Sequence, residues 1–371
     1  MSEPTWIEEA EALEKACAHW RTCACLALDT EFVRERTFFP ALGLLQVSDG
    51  SDCWLIDPLK VDLSPFQEVL NLDSVVKVLH SCSEDMEVLF NRFHELPWPV
   101  VDTQIAAAFA GFGLSFSYRN LVAEICGVDI PKDETRTNWL RRPLTAAQLR
   151  YAALDVTYLL PCYHELSERL GKNGRSAWLA EELERLRDTS RFTADPDKAY
   201  LKTKGARGLP KRPLAVAREL ASWREHEARK RNLPRSFILP NAALPQIARM
   251  MPRNVKGLEN IKGLRPDQRK RFGKAIIDAV KKALALPDSE LPIPPKRPLD
   301  LSPHKEKVNA ARSVVAETAA ELDLPPELLA NRRTVEKIVR RAIEGHEDPL
   351  APELNGWRRP LVEERLLACL S

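Results

Sequence analysis

No apolar run in this 371-residue sequence approaches the roughly 20 residues that a membrane-spanning helix needs, so no contact with a membrane is expected. The chain opens Met1-Ser2-Glu3-Pro4 with further acids following. That is not the basic-then-apolar opening of an export signal, and a soluble, cytoplasmic protein is expected. No Gly-x-x-x-x-Gly-Lys stretch is present, which removes the usual phosphate cradle. ATP-driven work and a nucleotide cofactor are not expected. Coiled-coil heptads are missing too, so nothing demands a dimer or another obligate protein partner. The eight cysteines are scattered. Their only close pair, Cys23-x-Cys25, leads into a strand and lacks a second Cys or His pair at zinc spacing. Reduced thiols and no zinc are the expectation.

What is present is a polarity of charge. The net value of +2 averages three unlike stretches. Residues 1–200 carry 20 basic against 32 acidic side chains, residues 201–300 carry 24 against 9, and the last 71 carry 11 against 12. An acidic body followed by a basic stretch suits a polyanionic substrate. The basic part gathers phosphate backbone that the acidic part would repel. A hydrophobic fraction of 44% is enough for two or three cores.

Periodicity predicts strands over 25–31, 43–48 and 52–56, with Ser48-Asp49-Gly50-Ser51 as a hairpin turn. A helix at 66–71, a strand at 75–80, a helix at 84–94 and a short strand at 99–102 follow, and helical patterns dominate after Thr103. This predicts a mixed sheet flanked by helices. Three of its segments aim acids at one point. Alternation puts Asp29 and Glu31 on one face of the first strand. Asp85 falls near a helix start, where the dipole favours an acid. Tyr151 and Asp155 share a helix face at i,i+4. Like charges do not converge for stability, but a pair of divalent ions removes the conflict, and hard Mg²⁺ or Mn²⁺ prefers oxygen ligands. Asp102, ending the short strand, is read as a turn acceptor ahead of a metal ligand. His80 is read as a satisfied core histidine.

The ordered stretches Leu28-Asp29-Thr30-Glu31-Phe32 with Arg34, Thr37 and Pro40, then Ser83-Glu84-Asp85, then Arg142-Pro143-Leu144 through Gln148 to Tyr151-Ala152-Ala153-Leu154-Asp155-Val156, resemble the three motifs of the DEDDy 3′→5′ exonucleases, and specifically the ribonuclease D family. Thr137-Asn138-Trp139 stands where that family often has Ser-Asp-Trp, which puts a substrate-side detail in question and not the chemistry. The resemblance implies a ribonuclease-H-like α/β exonuclease domain. It implies two divalent ions held by Asp29, Glu31, Asp85 and Asp155, with Tyr151 orienting the attacking water, and release of nucleoside 5′-monophosphates. It implies transfer-RNA precursors and other small structured RNAs as substrates. Phe32, Phe38 and Phe39 are candidates for base stacking or for core packing. Gln46, Arg141 and Arg142 are candidates for contact with the nucleotide or its phosphate. A DNA exonuclease of the Werner type keeps the same chemistry, and a catalytically silent nucleic-acid scaffold is the third reading.

Downstream, Asn232-Leu233-Pro234 followed by Ile238-Leu239-Pro240-Asn241 recurs as Asp323-Leu324-Pro325 followed by Leu328-Leu329-Ala330-Asn331. In each copy a long helix precedes the Leu-Pro and a shorter one is expected to start at the Asn, a good N-cap. The two copies resemble HRDC domains, the small all-α modules of ribonuclease D and RecQ-type helicases. The expected organisation is an exonuclease domain over 1–192, a linker over 193–210, a basic HRDC domain over 211–290, a proline-rich linker over 291–303 and a second HRDC domain over 304–371. The first module is expected to contact RNA, and the second to shape or close the set of domains.

Overall fold

The sheet is built around one strand that is buried on both faces. In the computed structural model, which describes residues 3–131, 137–193 and 195–371, Leu26, Ala27 and Leu28 are all essentially inaccessible. Such a run is what a strand covered by helices on both sides requires. The elements in order are β1 (Thr5–Ile7), α1 (Ala10–Trp20), β2 (Cys25–Val33), β3 (Ala41–Ser48), β4 (Cys53–Ile56), α2 (Ser64–Leu70), β5 (Val76–Leu79), α3 (Ser83–Phe93), β6 (Val100–Asp102), α4 (Thr103–Phe109), α5 (Tyr118–Cys126), α6 (Ala146–Thr157), α7 (Leu159–Lys172) and α8 (Ser176–Glu184). The six strands lie in the order β1-β4-β3-β2-β5-β6. Pairings of β1 with β4, β2 with β5 and β5 with β6 are parallel, and that of β3 with β4 is antiparallel, so the sheet is mixed. The edge strand β1 has no counterpart in the sequence reading: three residues are too few for a period to show.

Asp102 is the turn acceptor that the sequence suggested. Its carboxylate caps α4 through the Gln104 N–H at 2.8 Å, and also takes the N–H groups of Ser81 and Cys82 at 2.9 and 3.0 Å. One side chain thus fixes both the approach to α3 and the start of α4. Ser81 holds a left-handed φ of 58°, a conformation the two hydrogen bonds pin in place. Lys77 is fully buried in β5, with its ammonium on the carbonyls of Leu72, Val75 and Trp98.

The described chain packs into two compact units. One comprises residues 3–33, 42–188 and 298–371; the other comprises Arg34–Ala41 and residues 189–297. The second unit holds α9 (Lys211–Arg231), α10 (Arg235–Ile238), α11 (Ala243–Met250) and α12 (Pro266–Leu284). Its core is aliphatic, with Leu214, Leu220, Ile238, Leu244, Ile247 and Ile276 all inaccessible. The loop joining β2 to β3 belongs to this unit. Asn232, the left-handed residue ending α9, accepts the N–H groups of both Phe38 and Phe39 at 3.0 Å. The guanidinium groups of Arg235 and Arg229 lie 4.6 and 5.7 Å from the centre of the Phe38 ring. Phe38 therefore packs within the helical unit.

The chain ends with α13 (Lys305–Glu321), α14 (Pro326–Leu329), α15 (Arg332–Ile343) and α16 (Arg359–Leu370). These helices share one continuous apolar core with α4, α5 and α7: Phe109, Leu121 and Leu166 belong to the same buried cluster as Val315, Ile338 and Trp357. Trp178 of α8 stacks on Trp357 at 5.0 Å and 16°, Arg358 pairs with Glu182 at 2.6 Å, and the Trp357 N–H donates to Glu181 at 3.0 Å.

The sequence repeat is visible in the backbone. Asn232 and Asp323 both adopt positive φ, 48° and 47°, at the end of a long helix, and each is followed by Leu-Pro and a four-residue helix. The expected Asn cap forms in the second copy only, where Asn331 accepts the Thr334 N–H at 3.0 Å. In the first copy Ala242 occupies the cap position and the Asn241 oxygen takes Arg224 at 2.8 Å. The Arg224 guanidinium is buried, and a buried cation claims an acceptor before a half-exposed helix start does.

Candidate active site

Asp29, Glu31 and Asp155 present carboxylate oxygens that all lie within 4.8 Å of one another. The first two come from β2, where alternation aims both at α6. Asp155 comes from the last turn of α6, a helix fixed at its start by a capping box in which Thr145 and Gln148 bond each other's backbone N–H. The helix breaks just after Asp155 because Pro161, three residues into α7, has no N–H to give to the preceding turn. Tyr118 holds the break: its hydroxyl donates to the Leu154 carbonyl at 3.0 Å and accepts the Tyr158 N–H at 3.2 Å. This residue left no mark in the sequence reading.

Asp85 is buried in the first turn of α3 and approaches from the opposite side of β2. The hydroxyl of Thr30, the residue between the two strand acids, donates to its Oδ1 at 2.5 Å. A threonine in a strand reads as ordinary β propensity, so the sequence alone does not single out Thr30. Phe32 is half-buried, and alternation gives it the Thr30 face. Tyr151, one turn before Asp155 on α6, hydrogen-bonds to it. Trp139 lies beside Tyr151, with ring centres 6.2 Å apart. Gln148 donates to the Thr137 hydroxyl at 2.9 Å, so the threonine supplies the hydroxyl that a serine would.

The electrostatics are those of a cluster made for cations. Burial first, then the charges of Asp85, Asp155 and Glu31, push Asp29 far above the ordinary carboxylate range. Burial, then Asp155 and Asp85, push Glu31 up to about 9. Burial raises Asp155 to about 7 against the pull of its Tyr151 bond, and raises Asp85 to about 6 against the pull of Thr30. Burial, followed by the neighbouring acids, raises the Tyr151 phenol, so it stays a neutral donor. One buried and three half-buried acids, with only oxygen donors, fit hard divalent ions.

A pH dependence follows. These carboxyls hold protons more tightly folded than unfolded, so ion-free protein is most stable below about pH 4 in this respect and loses stability as pH rises through about 6, 7 and 9. In chelator the melting temperature should fall across that window by roughly 5 °C or more, and Mg²⁺ should restore it most at the alkaline end. Scanning calorimetry at several pH values checks this. Identical curves with and without the ion would contradict it.

Two sequence expectations need correction. Arg142 is not available to phosphate. Its five N–H donors go to both oxygens of the buried Asp57 at 2.7 Å and to the carbonyls of Gly43, Trp139 and Arg141. Gln46 is fully buried in β3 and its amide nitrogen lies 3.5 Å from Asp29, so it faces a catalytic candidate and not a nucleotide. Arg141 is exposed.

Gly43 has a steric role. A Cβ there would stand 2.7 Å from the Trp139 carbonyl oxygen and 2.8 Å from its Cβ, so the backbone itself must move. Gly43→Ala should displace Trp139 from Tyr151, cost about 1–3 kcal/mol of stability and lower kcat more than it raises KM. Denaturant titration and steady-state kinetics test this; unchanged values in both would refute it.

Comparison with known proteins agrees with this architecture. Residues 4–171 match a 3′-5′ exonuclease family model, residues 214–280 an HRDC domain, and residues 303–366 the C-terminal HRDC domain of ribonuclease D. The chain is 42% identical to ribonuclease D of Pseudomonas paraeruginosa, covering 99% of this chain and 98% of that one. It is 37% identical to ribonuclease D of Escherichia coli, covering 97% and 96%. The crystal structure of Escherichia coli RNase D, described as an exoribonuclease involved in structured RNA processing, superposes with a TM-score of 0.91 at 36% identity and covers 100% of this chain and 99% of that one. No helix among the described residues is long and apolar enough to cross a membrane. With the acidic cluster on an exonuclease sheet and relatives matched from end to end, the chain belongs to the ribonuclease D family of 3′→5′ exoribonucleases.

Proposed function

We propose that the chain removes nucleotides one at a time from the 3′ ends of small structured RNAs, transfer-RNA precursors among them, in the cytoplasm and with divalent ions. The observation that carries the reading is the convergence of Asp29, Glu31 and Asp155, with Asp85 held by Thr30 and close enough for its charge to act on Asp29 and Glu31. Two Mg²⁺ or Mn²⁺ ions, when bound, would supply an activated water and stabilisation of the leaving 3′ oxygen. Asp29 feels the charges of Asp85, Asp155 and Glu31 alike and would be the natural shared ligand. Glu31 and Asp155 would help hold one ion, and Asp85 would offer the oxygen that Thr30 leaves open. Tyr151 keeps its proton and orients the attacking water through its bond to Asp155. Gln46 steadies Asp29 from below. Arg141 and Phe32 are the remaining candidates for substrate contact.

The basic excess of residues 201–300 supports an RNA-gathering role for the first helical module. A time course with 3′- or 5′-end-labelled RNA and matched DNA, in Mg²⁺, Mn²⁺ or chelator, tests the proposal. Metal-dependent release of 5′-mononucleotides from the RNA 3′ end, slower from DNA, supports it. Equal or faster digestion of DNA moves the assignment to a DNA exonuclease. Binding without cleavage under every condition leaves a scaffold.

A further inference from the structure

A second group of metal-ligating side chains lies outside the acidic site, and its members come from three places in the chain. His19 lies in the last turn of α1, Cys23 lies in the turn before β2, and Asp49 begins the hairpin between β3 and β4. Their donor atoms all fall within 4.8 Å of one another. The His19 Nε2 is 2.7 Å from Asp49 Oδ2 and 3.9 Å from Cys23 Sγ. We propose that His19, Cys23 and Asp49 form a second metal site, which takes a divalent ion of borderline softness, zinc above all.

Three observations support a built site over a surface ion pair. The Asp49 carboxylate is pre-aimed: its Oδ1 accepts the N–H groups of Ser51 and Asp52, both at 2.8 Å, which leaves Oδ2 for the histidine and the ion. This is the outer support that ligating carboxylates ordinarily receive. The imidazole is buttressed by the Trp54 ring, 5.8 Å away and tilted by 48°. The third ligand is sulfur, which a His–Asp pair does not need. Tetrahedral zinc with bonds of about 2.0–2.3 Å sets its ligand atoms roughly 3.3–3.8 Å apart, a spacing that the observed 2.7 and 3.9 Å bracket. A small opening of the His–Asp contact therefore admits the ion.

Charge is consistent with this geometry. Burial alone would raise the Asp49 carboxyl, but hydrogen bonds from the Asp52 N–H, His19 and the Ser51 N–H bring it below the ordinary range. On binding, the thiol and the imidazole Nε2 give any protons they hold to solvent, and two anionic ligands face one dication. Sequence spacing gave no zinc expectation because it counts Cys and His neighbours along the chain. Here the other ligands arrive through the fold. The ion would tie the end of α1 to the β3–β4 hairpin, at the far end of β2 from Glu31.

The test is a cobalt titration of the full chain after removal of metals. A thiolate ligand gives a near-ultraviolet charge-transfer band with Co²⁺, whereas the acidic site contains no sulfur and gives none. The native chain should show this band at one equivalent, and zinc should abolish it. Cys23→Ser should remove the band, Cys25→Ser should keep it, and His19→Ala or Asp49→Ala should weaken cobalt binding by at least about tenfold. Circular dichroism confirms that each variant is folded. No band in the native chain at millimolar cobalt, or a band that survives Cys23→Ser, overturns the proposal. RNA turnover is not part of the readout, so either outcome leaves the reading of the acidic site untouched.

Discussion

Asp29→Asn is expected to lower turnover at least about a thousandfold, roughly 4 kcal/mol in the barrier, while RNA affinity changes by less than about twofold. The Asp29 carboxyl is raised well above its ordinary range because burial and three neighbouring acids act on it together. That is the position from which one side chain can serve two ions. An amide there keeps the shape and removes one anionic ligand. It also relieves repulsion, so the ion-free variant should melt at a higher temperature than the native chain while gaining less from Mg²⁺. Single-turnover kinetics, equilibrium binding of a 3′-tailed RNA and melting with and without Mg²⁺ separate these effects. A variant with near-native turnover would remove Asp29 from the machinery.

Removing residues 298–371 is expected to destabilise what remains by several kcal/mol and to leave it prone to aggregate. The reason is the shared core. Phe109 loses the Trp357 ring at 5.1 Å, Trp178 loses its stacking partner, and Leu121, Leu166 and Leu170 lose a covered face. Each large apolar side chain returned to water costs about 1.5–3 kcal/mol. Glu181 and Glu182 would also lose the Trp357 N–H and Arg358. A truncated chain that melts where the full chain does would show that this module is an appendage. The same reasoning governs how the basic module is tested. Charge-removing substitutions at exposed lysines of α12, such as Lys270 and Lys274, are preferable to deletion. They should weaken RNA binding uniformly and reduce its salt dependence by about one unit for each phosphate no longer neutralised.

Local periodicity made the central strands legible, because Asp29 and Glu31 share a face by alternation and Tyr151 and Asp155 share one by helical spacing. Asp102 was legible too, because an acid that ends a strand before a helix has few other uses. The misreadings have a common cause. Arg142 beside a proline reads as an exposed cation until Asp57, 85 residues away, is seen to hold it. Gln46 reads as a polar residue facing a ligand until β3 proves to lie inside the sheet. Thr30 and Tyr118 act through single hydroxyl groups that reach across the fold, and no spacing rule encodes those. Asn241 would cap its helix by local rules, but a buried guanidinium takes its oxygen first.

The clasp between Asn232 and the backbone of Phe38 and Phe39 has a consequence for the order in which the protein comes into being. Its two halves are 194 and 193 residues apart in the chain. While a ribosome is still adding the residues between them, the loop that follows the first acidic strand has no anchor. The core beneath α4, α5 and α7 waits longer still, for side chains as late as Leu370. The loop after the first acidic strand is thus anchored only once Asn232 has been made, and the core beneath α4, α5 and α7 closes only once Leu370 has, whereas the packing around the acids themselves draws on buried residues no later than Leu160.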